Sequence, residues 1–139
     1  MSPLSISALA ELLELTARML HSRGHAADLF PAQWAALRYF ARAPEPQRTA
    51  SALARFQGLG NGPVSRTVRT LVRKGLLRPS PAQPGGRARV LELTPAGMAM
   101  LEQDPTRAVE TAISALAPAH RDCFAGALNL LVRRLSEQR

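Results

Sequence analysis

Nine basic side chains lie in one stretch of the sequence that contains no acidic residue. Glu45 and Glu92 bound this stretch. The 139-residue chain has a formal net charge of +8, and outside this stretch its basic and acidic residues nearly balance. All but one of the basic residues in the chain are arginines, whose planar guanidinium pairs well with phosphate oxygens and guanine edges. The middle third of the chain is therefore predicted to bind a polyanion such as nucleic acid.

Several of these arginines recur at helical spacing between Gly62 and Lys74. On a helix with 3.6 residues per turn, one face is apolar and consists of Val64, Val68, Leu71 and Val72. The opposite face consists of Arg66, Arg69, Thr70 and Arg73. No acidic residue lies three or four positions away to pair with these arginines. Contact with DNA explains this face better than simple solvation does.

The elements around this face have the dimensions of a helix-turn-helix. A first helix is predicted from Pro31 to about Ala41, and Pro44 and Pro46 close it. Thr49 suits the N-cap of a short helix from Ala50 to Phe56. Glycines then interrupt the pattern, Asn61 is predicted to cap the helix from about Gly62 to Lys74, and Gly75 ends it.

A β-hairpin wing is predicted to follow. Strand candidates at Leu76–Arg78 and Val90–Leu93 flank a segment rich in turn-forming residues. Thr94 and Pro95 then start a helix whose course is broken at Pro105. Arginines beside the wing could enter a minor groove or hold phosphate, and residues 48 and 49 could hold phosphate at a helix N-terminus. The predicted DNA-contacting residues are Arg48, Thr49, Asn61, Ser65, Arg66, Arg69, Thr70, Arg73, Lys74, Arg87 and Arg89.

Both ends of the chain are predicted to be helices with too much apolar surface for one partner. The first runs from about Ser5 to His21 and the last from about Pro118 to Ser136. We interpret both as dimerisation helices; the alternative is that they pack on each other within one chain. The predicted fold class is mainly α with a small β-hairpin wing. A single domain spans 1–139, with a winged helix-turn-helix region at about 31–100 and dimerisation helices at about 1–25 and 105–139.

The order of these pieces resembles the MarR family. The matching segments are Phe30 to Leu37, Thr49 to Lys74, Leu71 to Arg78 and Leu93 to Gly97. The resemblance implies an obligate homodimer that binds double-stranded DNA and acts as a transcriptional repressor of a pseudo-palindromic operator. It also implies release by a small aromatic or anionic ligand, for which the candidate contacts are Arg18, His21, Trp34 and Arg38. Gly85 stands where the family's wing usually has an aspartate, so Arg87 lacks its customary partner.

Other functional classes receive less support from the sequence. His21 and His25 are four residues apart, and His120 and Cys123 three apart, but Gly24 and the end of the first helix weaken the first pair, so no metal site or cofactor is predicted. No catalytic motif is recognisable, and an enzyme is not expected. The absence of a secretion signal or a long apolar run predicts a cytoplasmic protein. The alternatives are a winged-helix protein-interaction module and a non-specific nucleoid-type DNA binder.

Overall fold

The computed structural model describes residues 3–81, 83, 85 and 89–138. Seven α-helices and two strands are described: α1 (Ile6–Arg23), α2 (Pro31–Arg42), α3 (Ala50–Gln57), α4 (Asn61–Arg73), β1 (Leu77–Pro79), β2 (Leu91–Leu93), α5 (Pro95–Met100), α6 (Thr106–Ser114) and α7 (Pro118–Ser136). Short 3₁₀ helices lie at Glu45–Gln47 and Leu101–Gln103. The predicted fold class, mainly helical with a small β-hairpin, is confirmed. Among the described residues, no helix is both long enough and apolar enough to cross a membrane.

The chain divides into two compact units. The first comprises Met1–Pro105 and the second Thr106–Arg139. The first holds the winged helix-turn-helix elements, whereas the second consists of α6 and α7. This division falls at the proline that the sequence identified as a break, although the separate helix α6 was not predicted.

The core of the first unit lies between α2, α3, α4 and the strands. Its largest fully buried side chains include Trp34, Phe40, Leu53 and Leu71. These residues come from three helices, so burying them fixes how α4 lies against α2 and α3. The apolar face predicted for α4 is largely correct: Val64 and Val68 are buried, but Val72 is exposed.

Side-chain caps fix several of the helix starts. Thr49 is the N-cap of α3, as predicted, and its hydroxyl accepts a hydrogen bond from the Ala52 amide at 3.1 Å. At the start of α2, the buried Gln33 side chain accepts from the Phe30 amide at 2.9 Å. The prediction that Asn61 caps α4 was wrong. Gly60 holds the extended cap conformation, and Asn61 is the first helical residue.

The hairpin is shorter and shifted relative to the prediction. The antiparallel strands pair Leu77 with Leu93 and Pro79 with Leu91, so Leu76 and Val90 lie outside them. Leu76 still joins the two sides of the hairpin base, because its carbonyl accepts a hydrogen bond from the Thr94 amide at 3.1 Å. The shift follows from backbone pairing, which hydrophobic patterning alone does not specify.

Candidate nucleic-acid interface

The exposed side of α4 forms one wall of an open groove of about 970 Å³, called the α4 groove below. Its other walls come from the N-terminus of α3, from Pro79 of β1 and from the residues around Leu91 of β2. The folding reason is amphipathicity. Burial of the apolar side of α4 in the core forces the arginine-bearing side outward.

Positive charge dominates the α4 groove. Arg66, Arg69 and Arg73 project from α4, and Arg89 joins them from the segment directly before β2. All four are exposed, and none of the described lining residues is acidic. Four like charges in one concave surface repel each other, so an anionic ligand would lower the electrostatic energy. The groove can therefore hold a polyanion through several guanidinium groups.

The remaining lining residues add neutral hydrogen-bonding groups. Ser65 and Thr70 are half-buried on α4, and the Thr70 hydroxyl accepts from the Arg73 guanidinium at 3.1 Å. Thr49 lines the groove too, but its buried hydroxyl is occupied by the α3 cap. Asn61 is exposed at the start of α4, outside the lining set.

Two predicted contact residues make structural hydrogen bonds instead of lining the groove. The Arg48 Nε donates to the Ala43 carbonyl at 2.8 Å, and the Arg48 carbonyl accepts from the Leu91 amide at the same distance. The Lys74 Nζ donates to the Asp28 carbonyl at 2.6 Å, in the connection between α1 and α2. Arg48 thus ties the segment before α3 to β2, and Lys74 ties the end of α4 to a connection in which Asp28 has a positive φ. Arg87 lies outside the described residues.

A residue that the sequence analysis missed organises the base of the wing. The side-chain amide of Gln83 donates to the Ser80 carbonyl at 2.8 Å and to the Val90 carbonyl at 2.9 Å. Its carbonyl oxygen accepts from the Val90 amide at 3.1 Å. Gln83 therefore fixes the backbone next to Arg89. The sequence gives only a weak indication of this role: a glutamine, which can both donate and accept hydrogen bonds, lies in a segment rich in turn-forming residues.

Each of the four candidate ligand contacts has a partner within the chain. Trp34 is fully buried, and its Nε1 donates to the Ala26 carbonyl at 3.2 Å. Arg38 is paired with the buried Asp104 at 2.7 Å. Arg18 is exposed and paired with Glu14, whereas His21 lies beside His25 near the end of α1. Trp34 and Arg38 thus have structural roles within this chain.

The arrangement of α3, the turn, α4 and the hairpin defines the chain as a winged helix-turn-helix protein. The model of the MarR family matches residues 27–88. The match covers the winged helix-turn-helix region, which is therefore similar to the MarR family, in agreement with the resemblance seen in the sequence. No match was found among curated protein sequences.

Solved structures share the fold over nearly the whole chain. A probable transcriptional regulator from Pseudomonas aeruginosa is 27% identical, with 91% of this chain and 96% of that chain covered and a TM-score of 0.65. The MarR-family regulator NMB1585 from Neisseria meningitidis is 20% identical, with 96% and 94% covered and a TM-score of 0.71. The Staphylococcus aureus MepR–DNA complex is 18% identical, with 96% and 99% covered and a TM-score of 0.72.

Proposed function

We propose that this protein is a transcriptional regulator that binds a specific double-stranded DNA sequence as a homodimer. The α4 groove carries the proposal, because it gathers three exposed arginines on the outer face of the second helix of a helix-turn-helix and a fourth, Arg89, from the wing. In proteins of this architecture the second helix enters the major groove. The similarity to MepR in a DNA complex supports the same mode of binding.

The contacts divide along α4 by distance from its N-terminus. Asn61, Ser65, Arg66 and Arg69 lie in the first three turns of α4, and in the usual docking geometry the N-terminal part of this helix reaches base edges. Arginine pairs in a bidentate manner with guanine, and one such pair discriminates by about 1–3 kcal/mol against a wrong base. Arg73, in the last turn, and Arg89, beside the wing, are assigned to phosphates or to the adjacent minor groove.

Apolar surface on α1 supports the homodimer. Its leucines at positions 9, 12, 13, 15 and 20 are all exposed, and no residue of α1 is buried. Helix α7 likewise exposes Phe124, Leu128 and Leu131. Covering such helices in a second copy would remove this surface from water at about 25 cal/mol per Å². A two-fold dimer predicts a pseudo-palindromic operator whose half-sites lie about 34–36 Å apart.

Repression by promoter occupancy is the mode of action that we infer for such a dimer, which would act in the cytoplasm where bacterial promoters are accessible. Release by a small aromatic or anionic ligand remains a prediction from the family resemblance. Since Trp34 is buried and Arg38 is paired with Asp104, a ligand pocket using them would require these contacts to rearrange.

Selection from a random duplex library tests the proposal. The purified protein is incubated with the library at two salt concentrations, and the bound duplexes are sequenced. We expect enrichment of one pseudo-palindrome, with binding that weakens steeply as salt rises. Salt-sensitive binding without enrichment would instead identify a non-specific DNA binder. Absence of binding would leave the protein-interaction module as the alternative, and either result would overturn the proposal.

A further inference from the structure

The structure brings together two imidazoles that lie outside the proposed DNA-binding groove. The His21 and His25 rings lie with their centroids 5.1 Å apart at an interplanar angle of 77°. Their Nε2 atoms approach to 3.5 Å. We propose that His21 and His25 form a binding site for a divalent transition-metal ion, with zinc as the best-fitting member of that class.

The distance between the two nitrogens supports this assignment. Zinc–imidazole bonds are about 2.0–2.1 Å long and their geometry is tetrahedral, so two nitrogens on one zinc ion lie about 3.3–3.4 Å apart. The observed separation of 3.5 Å is slightly longer than this, and a small rotation of either side chain would remove the difference. Octahedral ions place neighbouring ligands closer, at about 3.0 Å, and fit less well. As a direct hydrogen bond, 3.5 Å is long, so metal binding would displace only a weak contact.

The helix path explains why the pair converges. The sequence suggested that the helix ends at His21 and that Gly24 disrupts the spacing, but α1 continues to Arg23. Gly24 itself has right-handed helical torsions, with φ of −66° and ψ of −9°. The His25 amide then donates to the Ser22 carbonyl at 3.3 Å. Because the backbone keeps turning, residues four apart stay on one face.

Packing of the next helix depends on this glycine. A Cβ at position 24 would lie 2.7 Å from Cγ of Pro31, so Pro31 can approach residue 24 this closely because that residue is glycine. The ring of His25 also contacts Phe30 edge-on, with the centroids 5.5 Å apart. His25 is therefore held on one side by an aromatic ring while its Nε2 faces His21.

The site is open and has two protein ligands. Both histidines are exposed, and among the described residues no group of three or more His, Cys, Asp or Glu converges. Water or a small anion would complete the coordination, which is typical of an exchangeable site and not of a structural zinc site. The nearby Arg18 is paired with Glu14 at 3.1 Å, which reduces its repulsion of a cation.

Competition with a chromophoric chelator tests the site. Zinc chloride is titrated into the tag-free protein at about pH 8, where imidazole is ordinarily neutral. The variants are H21A and H25A, and the matched control is H120A, which removes the histidine in α7. We expect one zinc ion per chain, and an affinity loss of about tenfold or more in H21A and in H25A, because two linked ligands act at a high effective concentration. H120A should bind as the parent does.

Two further measurements separate loss of zinc binding from loss of folding. Circular dichroism checks that the variants fold, as expected for exposed side chains, and ring-proton NMR should show zinc-dependent shifts at two histidines of the parent. Failure of the parent to bind zinc, equal affinity in all four proteins, or a loss confined to H120A would overturn the proposal. The result does not depend on DNA binding, so the two proposals can fail separately.

Discussion

At the scale of single residues, arginines give the α4 groove its charge, and a glycine allows α5 to pack closely against Leu76. Arg66 and Arg69 follow directly from the amphipathic pattern of α4, and the structure exposes both in the groove. Gly97 was recognisable in the sequence only as part of a family motif. The structure explains why glycine stands there, because a Cβ at position 97 would collide with the Leu76 carbonyl oxygen.

Substituting Gly97 with alanine should destabilise the fold. The added methyl group would collide with backbone and not with a flexible side chain, so we expect a loss of about 1–3 kcal/mol in the free energy of unfolding. Urea unfolding followed by circular dichroism measures this change.

Gly62→Ala is the matched control for this prediction. A Cβ at position 62 meets no atom within 4 Å and the residue lies in the first turn of α4, so its stability should be unchanged or slightly higher. Equal stability of G97A and the parent would show that α5 does not approach Leu76 as described.

At the scale of elements, the sequence predicted helices better than strands and connections. Helix α7 was predicted with its observed bounds, because proline starts it and its apolar residues recur at helical spacing. The separate helix α6 was missed. Strand β1 is shifted by one residue and β2 begins one residue later than predicted, because strand bounds depend on hydrogen bonds between distant segments.

The same limit applies to the candidate site. The arginines of α4 were identified from one local pattern, but the approach of Arg89 to them depends on how the wing folds back. DNA contacts of Arg48 and Lys74 were predicted from their charge and their positions near the helix ends, and the structure adds that each also makes a hydrogen bond with a distant segment. Tertiary hydrogen bonds of this kind leave no periodic signal in the sequence.

Gln83→Ala should weaken DNA binding through the wing. The substitution removes three hydrogen bonds that join Gln83 to Ser80 and Val90, so the backbone beside Arg89 loses its position. We expect the affinity for the selected duplex to fall by about three- to tenfold, corresponding to the usual 0.5–1.5 kcal/mol for a net hydrogen-bond contribution. Fluorescence anisotropy on a labelled duplex measures this loss.

Arg89→Ala provides the comparison for this prediction. If Gln83 acts by positioning Arg89, the double variant Q83A/R89A should bind about as weakly as R89A alone. Fully additive losses would contradict the positioning role of Gln83.

At the scale of the whole molecule, exposed apolar helices imply assembly. Leu128→Asp in α7 places a charge on surface that we assign to the dimer interface. We expect dissociation into monomers, since an unpaired carboxylate is costly to bury. Sedimentation velocity over a range of protein concentrations measures the change.

Leu128→Met is the control, because it keeps the side chain apolar and similar in volume. It should remain dimeric. A monomeric parent protein, or an unchanged dimer in L128D, would contradict the assignment of α7 to the interface.

The central claim is that the arginines of the α4 groove bind DNA, and their removal tests it most directly. The affinities of R66A, R69A and R42A for the selected duplex are compared with that of the parent. Arg42 ends α2, is exposed and does not line the groove, so R42A removes the same charge elsewhere. We predict that R66A and R69A each lose about tenfold or more, consistent with 1–3 kcal/mol per specific contact, and that R42A binds nearly as the parent does. Equal losses in all three variants, or no loss in R66A and R69A, would contradict the account.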